Sequence, residues 1–195
     1  PVDAAVWVLE MGMNALGEID LLQRISEPQV RVITNIGAAH LEGLGSIEGV
    51  ARAKGELFDG ARPGDICCIN MDDPYVRELP LPEGIRVLRY GSDPSCEICL
   101  TDAQVDPSSL STVFRIETPH GVVRGRVSSP GLHIAYCALA AVAVGVALRV
   151  PVEGMAQRLS RYEPVGMRQR IERLPDGALV LNDAYNANPA STSAA

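Results

Sequence analysis

Three side chains in the first third of the chain have chemistry that could be used together: Glu10, His40 and Lys54. A carboxylate and an imidazole reaching one crevice could hold a divalent cation. Magnesium asks for few protein ligands, because waters or phosphate oxygens fill its remaining positions. A lone histidine after a strand is equally a structural hydrogen-bonder, and spacing does not choose between the two. Lys54 stands out by composition. Of the 17 basic residues it is the only lysine, and every other one is arginine. A primary amine retained at one position is a compact charge with a tunable pKa, and carbon dioxide can convert it to a carbamate. The plainer reading is a solvated cation on a helix face.

Two further groups lie later in the chain. Gly131-Leu132-His133 opens a long apolar stretch, and an imidazole there is either a neighbour of the helix cap or a group placed beside a purine. Arg168 follows a linker, where a guanidinium could reach a phosphate from a second domain. Asp183, Tyr185, Asn186 and Asn188 cluster after an apolar run, as a ligand-facing loop or as a turn rich in Asn and Pro. A GxxxxGK[ST] phosphate loop is absent from these residues, so the motif content alone does not show ATP binding. The Cys96-x-x-Cys99 spacing is a weak metal signal, since a strand would point the two thiols to opposite faces. The cysteines read as packing thiols and His120 as a solvated turn residue.

The elements that must position these groups follow from periodicity and punctuation. Ala4–Glu10 and Val30–Thr34 read as buried strands, each ending at a candidate side chain. A loop then opens a helix from Glu18 to Ile25, which Pro28 stops. Ser46 offers an N-cap for a helix over Ile47–Phe58 that carries Lys54. Asp65–Asn70 reads as a third strand, Asp72-Asp73-Pro74 as the cap of a short helix, and Ile85–Tyr90 as a fourth strand. This alternation predicts an α/β fold, a mostly parallel sheet flanked by helices. In such sheets ligands sit beyond the carboxyl ends of the strands, where Glu10, Asn35 and His40 fall. Glu97–Asp102, Ser111–Glu117 and Val122–Val127 predict a small antiparallel patch. Helices are expected over His133–Leu148 and Val152–Leu159, then a linker over Arg161–Met167. Strands are expected over Gln169–Arg173 and Ala178–Asn182, with a helix beginning near Ala190.

Composition bounds the function classes. The chain is 47% hydrophobic but only 4% aromatic, so its core must be aliphatic. A net charge of −7 argues against a non-specific nucleic-acid binder. It leaves room for an anionic ligand held by helix N-termini and a metal ion. No apolar run is long enough to insert in a membrane; the most apolar segment, Ala135–Val150, is broken by Gly145 and Arg149 and reads as a buried helix. Five cysteines without an export signal suggest reduced thiols and a cytoplasmic location. The chain opens on Pro1 and stops in what reads as a first helical turn, so it is expected to be a segment of a longer protein.

Five stretches carry a resemblance to a known family. They are LEMGMNALGEIDLL at 9–22, VITNIGAAHLEGLGSIEGVARAKGEL at 32–57, GLHIAYCALAA at 131–141, the surroundings of Gly166 and Arg168, and NDAYNANPASTSAA at 182–195. Together they resemble the Mur ligases of peptidoglycan synthesis. The GEI at 17–19 and YNANP at 185–189 favour the type that joins D-Ala-D-Ala to UDP-MurNAc-tripeptide. The resemblance implies an N-terminally truncated central, ATP-binding domain over 1–163. It implies a hinge and the start of a Rossmann-like C-terminal ligase domain over 164–195. It implies ATP and Mg2+ as cofactors, a monomer, and amide formation through an acyl phosphate. Glu10, His40 and a carbamylated Lys54 would serve a magnesium ion. Thr34 and Asn35 would lie beside the transferring phosphate and the substrate carboxylate. The helix with His133 and Cys137 would flank adenine, Arg168 would contact phosphates, and Asp183 would assist nucleotide binding. Tyr185, Asn186 and Asn188 would line the cleft between domains. Cys137 departs from the asparagine usual in the family, and the phosphate loop and N-terminal domain are missing, so the chain alone is expected to be inactive. The alternatives are a MurE or folylpolyglutamate synthase type of ligase, or a non-catalytic descendant that binds a precursor or a protein partner.

Overall fold

The computed structural model describes residues 3–38, 41–186 and 192. A six-stranded sheet runs in chain order: β1 (Val30–Ile33), β2 (Ile66–Asn70), β3 (Arg86–Gly91), β4 (Ile98–Asp106), β5 (Ser111–Thr118) and β6 (Gly121–Val127). The first four strands pair in parallel, and β4 to β6 pair antiparallel. The antiparallel patch is thus an extension of the main sheet. The start of β4 continues the parallel register beside β3 (Tyr90 opposite Ile98), and its remainder pairs with β5.

Helices cover both faces, because the buried strands alternate their side chains between two cores. On one face α4 (Leu132–Ala147) buries Ala135, Ala138, Leu139, Val142, Ala143 and Val146 against Cys68, Leu88, Ile98 and Ile116. Small residues on α4 let the helix approach the sheet closely. On the other face α3 (Ile47–Asp59) buries Val50, Ala53 and Phe58 against Ile33, Cys67 and Ile69. Ser46 caps α3 as its residue type predicts, accepting from the Gly49 N–H at 3.2 Å. Helix α1 (Glu18–Ser26) lies beside α3, and Glu56 of α3 accepts from Gly17 N (2.7 Å) and Asp20 N (3.1 Å). A carboxylate from the neighbouring helix therefore satisfies the first turn of α1. Two short helices complete the set, α2 (Leu41–Leu44) and α5 (Val152–Leu159). The hairpin β7 (Arg170–Arg173) and β8 (Leu179–Asn182) forms a separate two-stranded sheet. No helix among the described residues is long and apolar enough to cross a membrane.

Two expectations are corrected. Ala4–Glu10 is not a buried strand: it pairs with nothing described, and Trp7 and Val8 are 66% and 87% exposed. The outer edge of β1 likewise has no partner among the described residues, and a cavity of about 840 Å³ lies between residues 4–11 and β1. An apolar run becomes a strand only where another strand meets its backbone groups, and no described segment does so here. The Asp72-Asp73-Pro74 stretch does not open a helix; residues 71–79 form successive turns. Asp73 does perform local capping, its Oδ1 accepting from Tyr75 N (3.0 Å) and Val76 N (2.8 Å), but its other oxygen is used at long range. The helix expected near Ala190 lies outside the described residues, apart from Thr192.

Candidate active site

The chain immediately after β1 is held by four side chains from three other parts of the fold. Tyr90 of β3 donates its hydroxyl to Ile33 O (3.3 Å), and Asn70 at the end of β2 donates Nδ2 to Thr34 O (2.7 Å). Lys54 of α3 donates Nζ to Asn35 O (2.7 Å), and Asp73 accepts from Ile36 N (2.8 Å). Thr34 O, Asn35 O and Ile36 N lie just past the end of β1, at the carboxyl edge of the parallel sheet. The result is a fixed backbone from which the Thr34 and Asn35 side chains stand exposed. Asp73 anchors this arrangement although its sequence context suggests only a helix cap. Asp73→Ala leaves three N–H donors without acceptors and should cost about 3 kcal/mol of stability, read by urea denaturation.

Glu10, Thr34 and Lys54 line the same cavity beside β1. His40 lies outside the described residues, and the described residues contain no group of three or more His, Cys, Asp or Glu that could hold a metal. The Lys54 amine is pushed below the ordinary lysine range by burial, with the Asp73 carboxylate opposing the shift. Elsewhere, burial pushes the Cys67 thiol up to about 11 and the Cys68 thiol up to about 12.

A second cluster gathers at the start of α4 and the β7–β8 hairpin. The Arg168 guanidinium stacks over the Tyr185 ring, 4.1 Å from its centroid. Asp183 accepts from Gln169 N (3.1 Å), and Gln169 Nε2 meets His133 Nε2 at 2.6 Å. Residue reasoning singled out His133, Arg168, Asp183 and Tyr185 separately and missed Gln169, the residue that connects two of them. Cys137 is exposed one turn after His133, Asn186 is exposed, and Asn188 lies outside the described residues. The Tyr136 phenol lies against Ser92 and Asp72, which follow β3 and β2, so α4 starts at the same carboxyl edge as Thr34 and Asn35. The two clusters therefore share one end of the sheet.

Gly131 N-caps α4 at φ 127°, and an added Cβ would stand 2.4 Å from His133 Cε1 and 2.7 Å from His133 Nδ1. Both the backbone angle and the ring exclude a side chain there. Gly131→Ala should cost about 2 kcal/mol and displace the His133 ring, measured by thermal unfolding and by the His133 ring NMR signals.

With this geometry established, comparison with known proteins gives a consistent outcome. The Mur ligase middle domain family matches residues 2–145. The UDP-N-acetylmuramoyl-tripeptide–D-alanyl-D-alanine ligase of Bacillus subtilis is 35% identical over 195 residues, covering 100% of this chain and 41% of that protein. The Escherichia coli enzyme of the same name is 33% identical, covering 96% of this chain and 42% of its own length. Among solved structures, MurF from Acinetobacter baumannii superposes with a TM-score of 0.88 at 31% identity, covering 96% of this chain and 40% of that one. MurF ligase from Thermotoga maritima in complex with ADP superposes at 0.78 and 25% identity, covering 92% and 40%. The chain thus spans about two fifths of the length of the curated relatives it matches.

Proposed function

The chain belongs to the Mur ligase family, and from that premise we propose that it is the central portion of a ligase adding D-Ala-D-Ala to UDP-MurNAc-tripeptide at the expense of ATP. The carrying observation is that Glu10, Thr34 and Lys54 line one cavity along the outer edge of β1, with Thr34 just past the carboxyl end of that strand. The choice of substrates follows the two relatives, matched at 35% and 33% identity over essentially the whole chain. In this reading residues 1–163 belong to the ATP-binding domain and 164–195 to the hinge and the start of the C-terminal domain. The ligase works as a cytoplasmic monomer.

The reaction joins two substrates through an acyl phosphate. A carboxylate oxygen of the tripeptide attacks the γ-phosphorus of ATP and ADP leaves. The D-Ala-D-Ala amine then attacks the acyl carbon, and phosphate departs as the amide forms. Thr34 and Asn35, on the backbone fixed by Asn70, Lys54 and Asp73, orient the reacting carboxylate and phosphate. Arg168 and Asp183 meet the nucleotide from the hinge, His133 and Cys137 flank its base, and Tyr185, Asn186 and Asn188 line the cleft. The residues fit magnesium if Lys54 carries a carbamate. Glu10 would supply one hard oxygen ligand, a carbamate on the desolvated amine would supply others, and His40 would complete the set. Bound there, magnesium would screen the repulsion between a carboxylate and a triphosphate.

The test is phosphate release by the full-length ligase supplied with ATP, UDP-MurNAc-tripeptide and D-Ala-D-Ala. Release that requires both acceptors supports the proposal. Release with a diamino acid and UDP-MurNAc-dipeptide instead would assign the MurE type. Precursor binding without any ATP turnover would assign the non-catalytic reading, which Cys137 favours because a thiol does not replace the base contacts of an asparagine amide. Residues 1–195 alone should show no turnover in the same assay.

A further inference from the structure

Gln169 combines features that a linker residue has no need of. It directly precedes β7, its side chain is buried, and its backbone is left-handed at φ 52° although it is not glycine. It bonds to three separate parts of the fold. Its N–H donates to Asp183 Oδ1 (3.1 Å), its Oε1 accepts from the Ser129 hydroxyl (2.8 Å), and its Nε2 lies 2.6 Å from His133 Nε2.

The hydrogen-bond inventory assigns the donors. With Oε1 accepting from the Ser129 hydroxyl, the amide nitrogen faces His133, and an amide nitrogen can only donate. His133 Nε2 must then accept, which places the ring proton of the neutral imidazole on Nδ1. That atom is buried with no partner. An unfavourable backbone angle and an unsatisfied ring nitrogen thus occur side by side at the edge of the proposed cleft. Such features persist where the surroundings hold them in place, and they concentrate at functional sites.

We propose that Gln169 is a positioning residue: it sets the tautomer and ring plane of His133 and holds Asp183 from the opposite side, so that the start of α4 and the end of β8 form one rigid wall. The proposal rests on reading that wall as part of a nucleotide site. Gln169 is itself buried and acts through its two neighbours.

The test uses the full-length ligase and three variants. Gln169→Gly relieves the backbone angle and removes the side chain, Gln169→Ala removes the side chain alone, and Gln169→Glu keeps the shape but cannot donate when ionised. The glycine and alanine variants should both raise the KM for ATP about tenfold with kcat changed less than about threefold, as when a group that positions a binding contact is lost. In nucleotide-free protein labelled with ¹⁵N in its histidine rings, His133 should carry its proton on Nδ1 in the wild type and on Nε2 in Gln169→Glu. A wild-type KM in Gln169→Gly, or the same His133 tautomer in wild type and Gln169→Glu, overturns the proposal. Absence of ATP turnover in the wild type would instead overturn the nucleotide reading on which it rests.

Discussion

Replacing Lys54 by alanine in the full-length ligase is expected to lower kcat about a thousandfold, and replacing it by arginine should do no better. Lys54 lies on α3, partly buried, with its Nζ fixed 2.7 Å from Asn35 O. Burial pushes its pKa down, and the Asp73 carboxylate only partly opposes this. A neutral amine takes up carbon dioxide and an ammonium does not. Occupancy by carbamate therefore rises with pH, and for Lys54 the rise should come at lower pH than for a free lysine. Arginine stays charged throughout and cannot follow. Incubation with ¹³C-labelled bicarbonate should give a carbamate NMR signal in the wild type and none in either variant, and it should fade on acidification. Acetate or formate, supplying a carboxylate in the emptied space, should restore part of the activity of Lys54→Ala. Full activity in Lys54→Arg would show that a plain cation suffices.

How much of this could be read beforehand depends on the range of the interaction involved. Strand β1, helix α3 and helix α5 were legible because their periodicity and caps are local, and Ser46 caps α3 through the bond its residue type predicts. Composition alone singles out Lys54, in a chain whose other basic residues are arginine. The failures are long-range. Ala4–Glu10 has the composition of a buried strand, but burial needs a neighbour that apolar patterning cannot supply. Asp73 looked like a helix cap because half of it behaves as one; its second oxygen reaches Ile36, 37 residues away. Gln169 gave no signal, since neither its left-handed backbone nor its three partners follow from residue type. The continuity of the antiparallel patch with the main sheet was hidden because β4 serves two neighbours with different parts of its length.

Arg31 is another residue whose role only the packing reveals, and it carries the largest expected effect on stability. An arginine at the second position of a four-residue strand suggests an exposed edge, yet its side chain is 2% exposed. Its guanidinium donates to Asp65 Oδ2 (2.5 Å) and to Gly60 O (2.9 Å), joining β1 to the start of β2 and the end of α3. Nε has no partner. Asp65→Ala would leave a buried cation with one remaining acceptor, and breaking a buried pair from one side costs about 3–5 kcal/mol. The reverse change is milder. In Arg31→Met the carboxylate left behind is 15% exposed and still accepts from Arg62 N (2.8 Å), so the cost should be about 1–2 kcal/mol. The double variant Arg31→Met/Asp65→Ala should then recover about 2 kcal/mol relative to Asp65→Ala alone, a coupling that urea denaturation of the four proteins measures. Because β1 leads directly to Thr34 and Asn35, Asp65→Ala should also weaken the lysine contact to Asn35 O. Equal costs for the two single variants would mean that water reaches the guanidinium, and that the strand is held by its ladder and apolar contacts alone.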